Sequence, residues 1–294
     1  MRTILPRRLL QLIVFVLIPL CLSACKQPLE RIPLAHPAFD AQTLTQMRQT
    51  YVSNLEETLG EKQLLQPNST YLTRNPFVPT MPMTLDACQQ DPNCAYALSR
   101  FWMSPPKFPA NAAVYQWWIN RNLTPDSAQV CGLRFDDETQ TGYTLKTFSS
   151  LAALQAETGF HVTHFQACGT CSTLQDLAVY GELDLTRMGK ICSKRSTLAE
   201  KVACMKDIGF TQPCAESWAY NAVKTGQSCA AICVATYGLI PLLKGTENKP
   251  PVGPDGQLNA CLLCDEMMSG PGFQFAAGRT RRNSGIISEI DRPQ

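Results

Sequence analysis

Apolar positions recur at helical and strand spacings along most of the chain. Leu44, Met47, Tyr51, Leu55 and Leu59 follow Asp40, a good N-cap, and predict a helix within 40–66. Residues 129–135 and 143–148 read as strands, and the polar stretch 136–142 between them is a loop of hairpin type. Ser149 or Ser150 can cap a helix through Leu151 and Leu154 that Gly159 closes, and 160–165 reads as a third strand. Helical patterns follow through Leu174, Leu177 and Tyr180, over 197–208, over 215–237 and around 259–268. A loop rich in Pro and Gly, 241–256, separates the last two. The run 114–119, the densest in aromatic residues, is a candidate core segment. The pattern predicts an α+β fold, predominantly helical, with a small β element at about 129–165 and a C-terminal helix pair.

The two ends of the chain differ in character. Residues 1–24 have a positive start (Arg2, Arg7, Arg8), an apolar run over 9–22 and small residues at Ser23 and Ala24, the layout of a cleaved secretory leader. The apolar run is shorter than the ~20 residues a membrane span needs. Residues 25–39, with Pro28, Pro33 and Pro37, read as a tether. Residues 40–110 read as a helical and irregular region packing on a main body, and 111–294 as the cysteine-rich main domain.

The leader ends in Leu22-Ser23-Ala24-Cys25, which resembles a bacterial lipobox. An ordinary signal-peptidase site prefers a small residue where Leu22 stands. The resemblance covers residues 1–25 and implies cleavage before Cys25, a diacylglyceryl thioether on its sulfur and an acyl chain on its new amino group. Two or more chains anchor stably where one does not. Lys26 stands where many inner-membrane lipoproteins carry Asp, so the resemblance implies the outer membrane, facing the periplasm.

Charge removes one class of function. The chain has 26 Lys and Arg against 24 Asp and Glu; without Arg2, Arg7 and Arg8 the balance is 23 against 24. No positive field remains to draw in a polyanion, so nucleic acid is not an expected partner. Charged residues are 17% of the chain and hydrophobic ones 45%, which excludes a disordered polyelectrolyte.

Cysteine changes the picture most. Of 14 cysteines, Cys21 lies in the leader and Cys25 at the lipidation position, leaving an even 12 for the ectodomain. Cys229 and Cys233 share one face of a predicted helix, and Cys261 and Cys264 share a face of another. In an antiparallel pair the inner residues meet and the outer residues meet, which predicts Cys233–Cys261 and Cys229–Cys264. Cys204–Cys214 and Cys88–Cys94 are candidate local bridges. The remaining Cys131, Cys168, Cys171 and Cys192 have no pairing that sequence decides.

Three segments could carry chemistry. Cys168-Gly169-Thr170-Cys171 lies between a predicted strand and a predicted helix, and over about 40 residues it resembles the thioredoxin-type redox motif. That resemblance implies an attacking Cys168 and a resolving Cys171; separately, His164 is a neighbouring imidazole and the candidate base for Cys168. Ala167 stands where the family carries Trp, and no cis-Pro segment is evident downstream. With His161 and His164 the same cysteines form H-x₂-H-x₃-C-x₂-C, all ligand types for zinc or copper. Odd spacing, however, puts the two histidines on opposite faces of a strand. The third segment holds Arg279, Arg281 and Arg282 among Gly, Ser, Thr and Asn, a pattern suited to an anion. No cofactor motif is present in the sequence, and no metal site is expected. The expected function is a lipid-anchored, disulfide-stabilised domain that binds or scaffolds in the bacterial envelope, through an envelope protein or an anionic ligand. A thiol–disulfide oxidoreductase using Cys168 and Cys171 is the enzyme alternative, and metal or anion binding is the third.

Overall fold

The structure, a computed structural model, describes residues 29–54 and 129–290 apart from 245, 255–257, 285 and 287–289. Six sequence expectations lie wholly or largely outside the described residues: the leader 1–24, the Leu22–Cys25 lipobox, Cys88–Cys94, the continuation of the first helix beyond residue 54, the packing of the region 40–110, and the aromatic run 114–119. The protein is a mixed α and β fold in which a small sheet leads into a larger set of helices.

The first helix, α1 (Ala41–Gln49), is capped by Asp40, whose side chain accepts from Thr43 N. It is shorter than its apolar spacing predicted, because Thr50 turns extended and the next two residues join a sheet. That short strand, β1 (Tyr51–Val52), runs parallel to β3 (Gly142–Phe148). β3 pairs antiparallel with β2 (Val130–Phe135), and β2 pairs antiparallel with β4 (His161–Phe165), giving the order β1-β3-β2-β4. The hairpin turn between β2 and β3 is held by Asp137, whose Oδ1 accepts from Thr139 N at 2.8 Å. A one-turn helix, α2 (Leu151–Gln155), lays Leu154 on Val130, Phe148 and Phe160 to make the sheet's own core. Phe148 and Phe160 meet edge to face with centroids 5.0 Å apart.

The helical body comes next. α3 (Leu174–Glu182) and α4 (Leu185–Ser193) are two short helices; the second was not evident as a separate element from sequence. α5 (Leu198–Asp207) starts on a capping box, Thr197 with Glu200. Gly209, at φ 114°, then reverses the chain into α6 (Gln212–Tyr237), the longest described element at 26 residues. Gly238 ends α6, and a six-residue helix, α7 (Leu239–Lys244), stands where sequence predicted loop from 241. α8 (Ala260–Met268), α9 (Gly270–Ala277) and a 3₁₀ turn (Arg282–Ser284) complete the chain. Tyr180, Phe210, Trp218 and Phe273, one from each of four segments, stack and tilt together at the centre of this body.

The segment before α1 is strapped to the body. Asp184 N donates to Ile32 O at 2.9 Å, Leu34 N to Glu182 O at 2.8 Å and Ala38 N to Gly181 O at 2.8 Å. Arg31 and Arg48 both reach the Glu182 carboxylate. The part of the expected tether that follows Arg31 therefore lies against the body.

Five disulfides link the described elements. Cys229–Cys264 and Cys233–Cys261 join α6 to α8 as helix-face geometry predicted. Cys204 does not pair with Cys214. It faces α4 and bonds Cys192, whereas Cys214, in the first turn of α6, bonds Cys171. The turn at Gly209 leaves these two cysteines on different neighbours, so closeness in sequence does not become closeness in space. Cys131, on β2, bonds Cys168.

Candidate functional site

Four of the residues singled out for chemistry, Cys168, Cys171, His164 and Arg279, meet in one place: the loop 166–173, with β4 on one side and the turn after α9 on the other. Gln166 takes a left-handed conformation at φ 75°, which turns the chain sharply out of β4. Cys168 is then tied to β2 and Cys171 to α6. Between them Gly169 lies directly against the backbone of the C-terminal turn. A Cβ there would stand 2.4 Å from Ala276 O. Thr170 N and Cys171 N donate to Ala276 O and Ala277 O, both at 2.9 Å. Gly278, at φ 69°, completes the crossing, with a hypothetical Cβ 2.6 Å from Gly169 N.

This geometry corrects the redox expectation. A thioredoxin-type pair needs its first sulfur at a helix N-terminus and its second within bonding distance of the first. Here the helix N-cap is Thr173, five residues beyond Cys168, so the cysteines precede the helix in irregular backbone. Each is bonded to a different, distant partner, and each is buried. The same pairing withdraws the thiolates from any zinc or copper site, and no cluster of three or more metal-ligand residues occurs among the described residues.

His164 sits beside this loop with a clear hydrogen-bonding role. It is buried, whereas His161, three residues earlier on β4, is exposed, as odd strand spacing requires. Its Nδ1 lies 2.8 Å from Phe165 O, so that nitrogen carries the proton and donates. In the neutral ring Nε2 is then the acceptor for Ser172 Oγ at 2.7 Å. Ser172 Oγ in turn accepts from Gly169 N at 2.7 Å. A hydroxyl, an imidazole and an orienting carbonyl are the parts of an activated nucleophile. Ser172 is 0% and His164 1% exposed, however, so no substrate can meet the hydroxyl in this conformation. The dyad closes the loop onto the sheet.

Among the described residues Arg279 is the largest fully buried side chain, at 0% exposure. Its five N–H donors are all directed inward. Nε donates to Cys171 O at 3.0 Å, Nη1 to Thr163 O at 3.0 Å and to Ser284 Oγ at 3.1 Å, and Nη2 to Ser172 O at 3.1 Å and to Thr163 Oγ1. Burial lowers its pKa to about 10, against which the phenols of Tyr180 and Tyr143 and the Asp176 carboxylate act to raise it. The anion pocket expected of Arg279, Arg281 and Arg282 is therefore not formed by Arg279, which recognises the protein's own carbonyls. Arg281 is also buried, and its Nη2 donates to Leu183 O at 2.9 Å. Arg282 begins the 3₁₀ turn, and its side chain lies outside the described residues.

Asp176 carries the matching negative charge. It is 0% exposed and sits in the first turn of α3. Its carboxylate accepts from Thr173 Oγ1 at 2.6 Å and from Thr211 N at 2.9 Å, so one side chain braces the start of α3 and that of α6. Burial raises its pKa to about 6, partly opposed by the Thr173 and Thr211 hydrogen bonds. Tyr143 Oη accepts from Leu174 N at 2.8 Å, and Tyr180 donates to Arg279 O at 3.2 Å. Burial pushes both phenols far above their ordinary range.

Sequence reasoning missed Ser172, Asp176, Tyr143 and Tyr180. The Thr173-x-x-Asp176 spacing of a helix start was available as a signal for one of them. The other three are placed by contacts across the fold. Together these residues form an enclosed polar centre joining sheet, loop, helices and C-terminal turn.

Residues 198–294, about a third of the chain, match the model of a family of unknown function (DUF8771). No curated protein and no solved structure matches the chain. The matched segment contains both bridges between α6 and α8 and the buried Arg279; in this C-terminal third the chain is similar to that family.

Proposed function

We propose that the protein is an exported, lipid-anchored domain of the bacterial cell envelope that works by binding or scaffolding. The observation that carries this reading is that all ten described cysteines are paired in five disulfides. Disulfides of this density are expected in oxidising compartments and are rare in the cytosol. The lipobox at Leu22–Cys25 supplies the means of export and of attachment, and Lys26 favours the outer membrane, facing the periplasm. The sealed polar centre supports a structural role for Cys168, Cys171 and His164 and leaves binding to the outer surface. Among the described residues no helix is long and apolar enough to cross a membrane. Attachment in this reading is assigned to Cys25.

The test is metabolic labelling with an alkyne fatty acid in a Gram-negative host, followed by mass analysis of the mature N-terminus. The expected result is a mature chain starting at lipid-modified Cys25, with no label in a Cys25→Ser variant. An unlabelled wild-type chain, or a mature N-terminus elsewhere, would overturn the reading.

A further inference from the structure

The helix α7 is unusual in what it leaves in water. None of its six residues is buried, and Leu239, Ile240 and Leu243 are 56%, 64% and 72% exposed. Val234, on the last turn of α6, adds a fourth exposed apolar side chain. Single exposed leucines are ordinary, but several large ones on one short projecting helix are not.

Its surroundings are basic. Lys244 closes the helix and Lys249 lies just beyond it, both exposed. Lys190 lies over the ring of Tyr237, 5.3 Å from its centroid. The nearby acid, Glu247, is paired with Lys194 at 3.4 Å. An apolar tip with a cationic collar fits a bilayer surface with anionic headgroups, where Leu and Ile enter the acyl boundary and Lys stays among phosphates.

The reach of the anchor argues for the same occupant. The chain is fixed to the body from Ile32, whose carbonyl accepts from Asp184 N. Seven residue steps separate Ile32 from Cys25, which span at most about 25 Å. Asp184 is the N-cap of α4, and Lys190 and Lys194 at the other end of α4 contact Tyr237 and Glu247, on either side of α7. A helix of nine residues is about 13 Å long. The point where the tether meets the body is thus linked, through α4 and the side chains of Lys190 and Lys194, to the residues that flank α7.

We propose that α7 is a membrane-contacting foot: Leu239, Ile240 and Leu243 insert into the phospholipid surface that holds the Cys25 anchor, and Lys244 and Lys249 meet its headgroups. This rests on the anchored reading above. It makes the attachment two-point, so the domain is oriented on the bilayer instead of swinging from one thioether. A single surface helix supplies weak insertion that an adjacent lipid anchor makes effective.

The test uses the full chain in the envelope of a Gram-negative host, with p-benzoylphenylalanine in place of Leu243 and, separately, in place of Val162, an exposed residue on β4. After irradiation the expected result is a phospholipid adduct at position 243 at least about tenfold above that at 162. No excess at 243 in a chain whose Cys25 carries lipid would overturn this inference alone. An adduct to a protein or to a second copy of the chain would also overturn it. An unlabelled Cys25 is the separate failure of the anchored reading.

Discussion

Replacing Arg279 tests whether its charge serves the fold or a ligand. In Arg279→Met the Cys171, Thr163 and Ser172 carbonyls each lose a buried donor. An orphaned buried polar group costs about 1–3 kcal/mol. Against this, the variant no longer has to hold a cation away from water, a cost visible in the guanidinium's lowered pKa. With three carbonyls orphaned and the buried cation removed, the net loss is expected at about 3–5 kcal/mol. Arg279→Lys keeps the charge but offers donors from one atom instead of a fork, and is expected to lose roughly half as much. Urea unfolding with disulfides intact measures both, the midpoint falling at constant slope. If both variants lie within about 0.5 kcal/mol of wild type, the side chain is not the internal clamp described here. An anion site open to solvent would give that result.

Three further outcomes rest on the same contacts. Gly169→Ala is expected to cost about 3 kcal/mol, because its Cβ would meet backbone atoms that cannot rotate away. Gly226→Ala in α6, where nothing lies within 4 Å, should instead stabilise by about 0.5–1 kcal/mol, and thermal denaturation showing the reverse order would contradict the packing. Asp176, raised by burial from 3.8 to about 6, binds its proton more tightly folded than unfolded. Its contribution therefore favours the fold at acid pH and is lost as pH rises between about 4 and 6, by up to about 3 kcal/mol. Urea midpoints across that window should fall more steeply for wild type than for Asp176→Asn, and equal slopes would refute the assignment. The bridges Cys229–Cys264 and Cys233–Cys261 close nested loops with sequence separations of 35 and 28. Replacing either pair by Ala should cost about 2–3 kcal/mol and replacing both about 6, since the surviving bridge still closes most of the loop. Equal stability of the wild-type chain and the double-pair variant would remove the stapling role.

Local periodicity was legible in the sequence, together with the contacts that periodicity alone dictates. Spacings of four and three on two helices fixed which cysteines of α6 and α8 meet. Odd spacing on β4 placed His161 outside and His164 inside. Local pattern failed where a distant segment decides the environment. The run from Ser269 to Gly285 reads as a glycine-rich basic loop, yet Pro271 stands in the first turn of α9 and Gly278 turns the chain back onto Gly169. That crossing sends Arg279 inward, and no short window contains it. The C-x-x-C segment misleads for the same reason: strand, two cysteines and helix occur in the right order, but partners on β2 and α6 claim the sulfurs separately. α7 was hidden because Pro241 and the glycines after it suggested loop, and because a helix that buries nothing shows no buried stripe.

The central claim is that the cysteines form a structural scaffold in which Cys168 and Cys171 have separate partners. Mass spectrometry of an unreduced digest, with fragmentation between neighbouring cysteines, tests it directly. The expected links are Cys131–Cys168, Cys171–Cys214, Cys192–Cys204, Cys229–Cys264 and Cys233–Cys261. A Cys168–Cys171 bond, or free thiols at these two positions in the mature protein, would contradict the account.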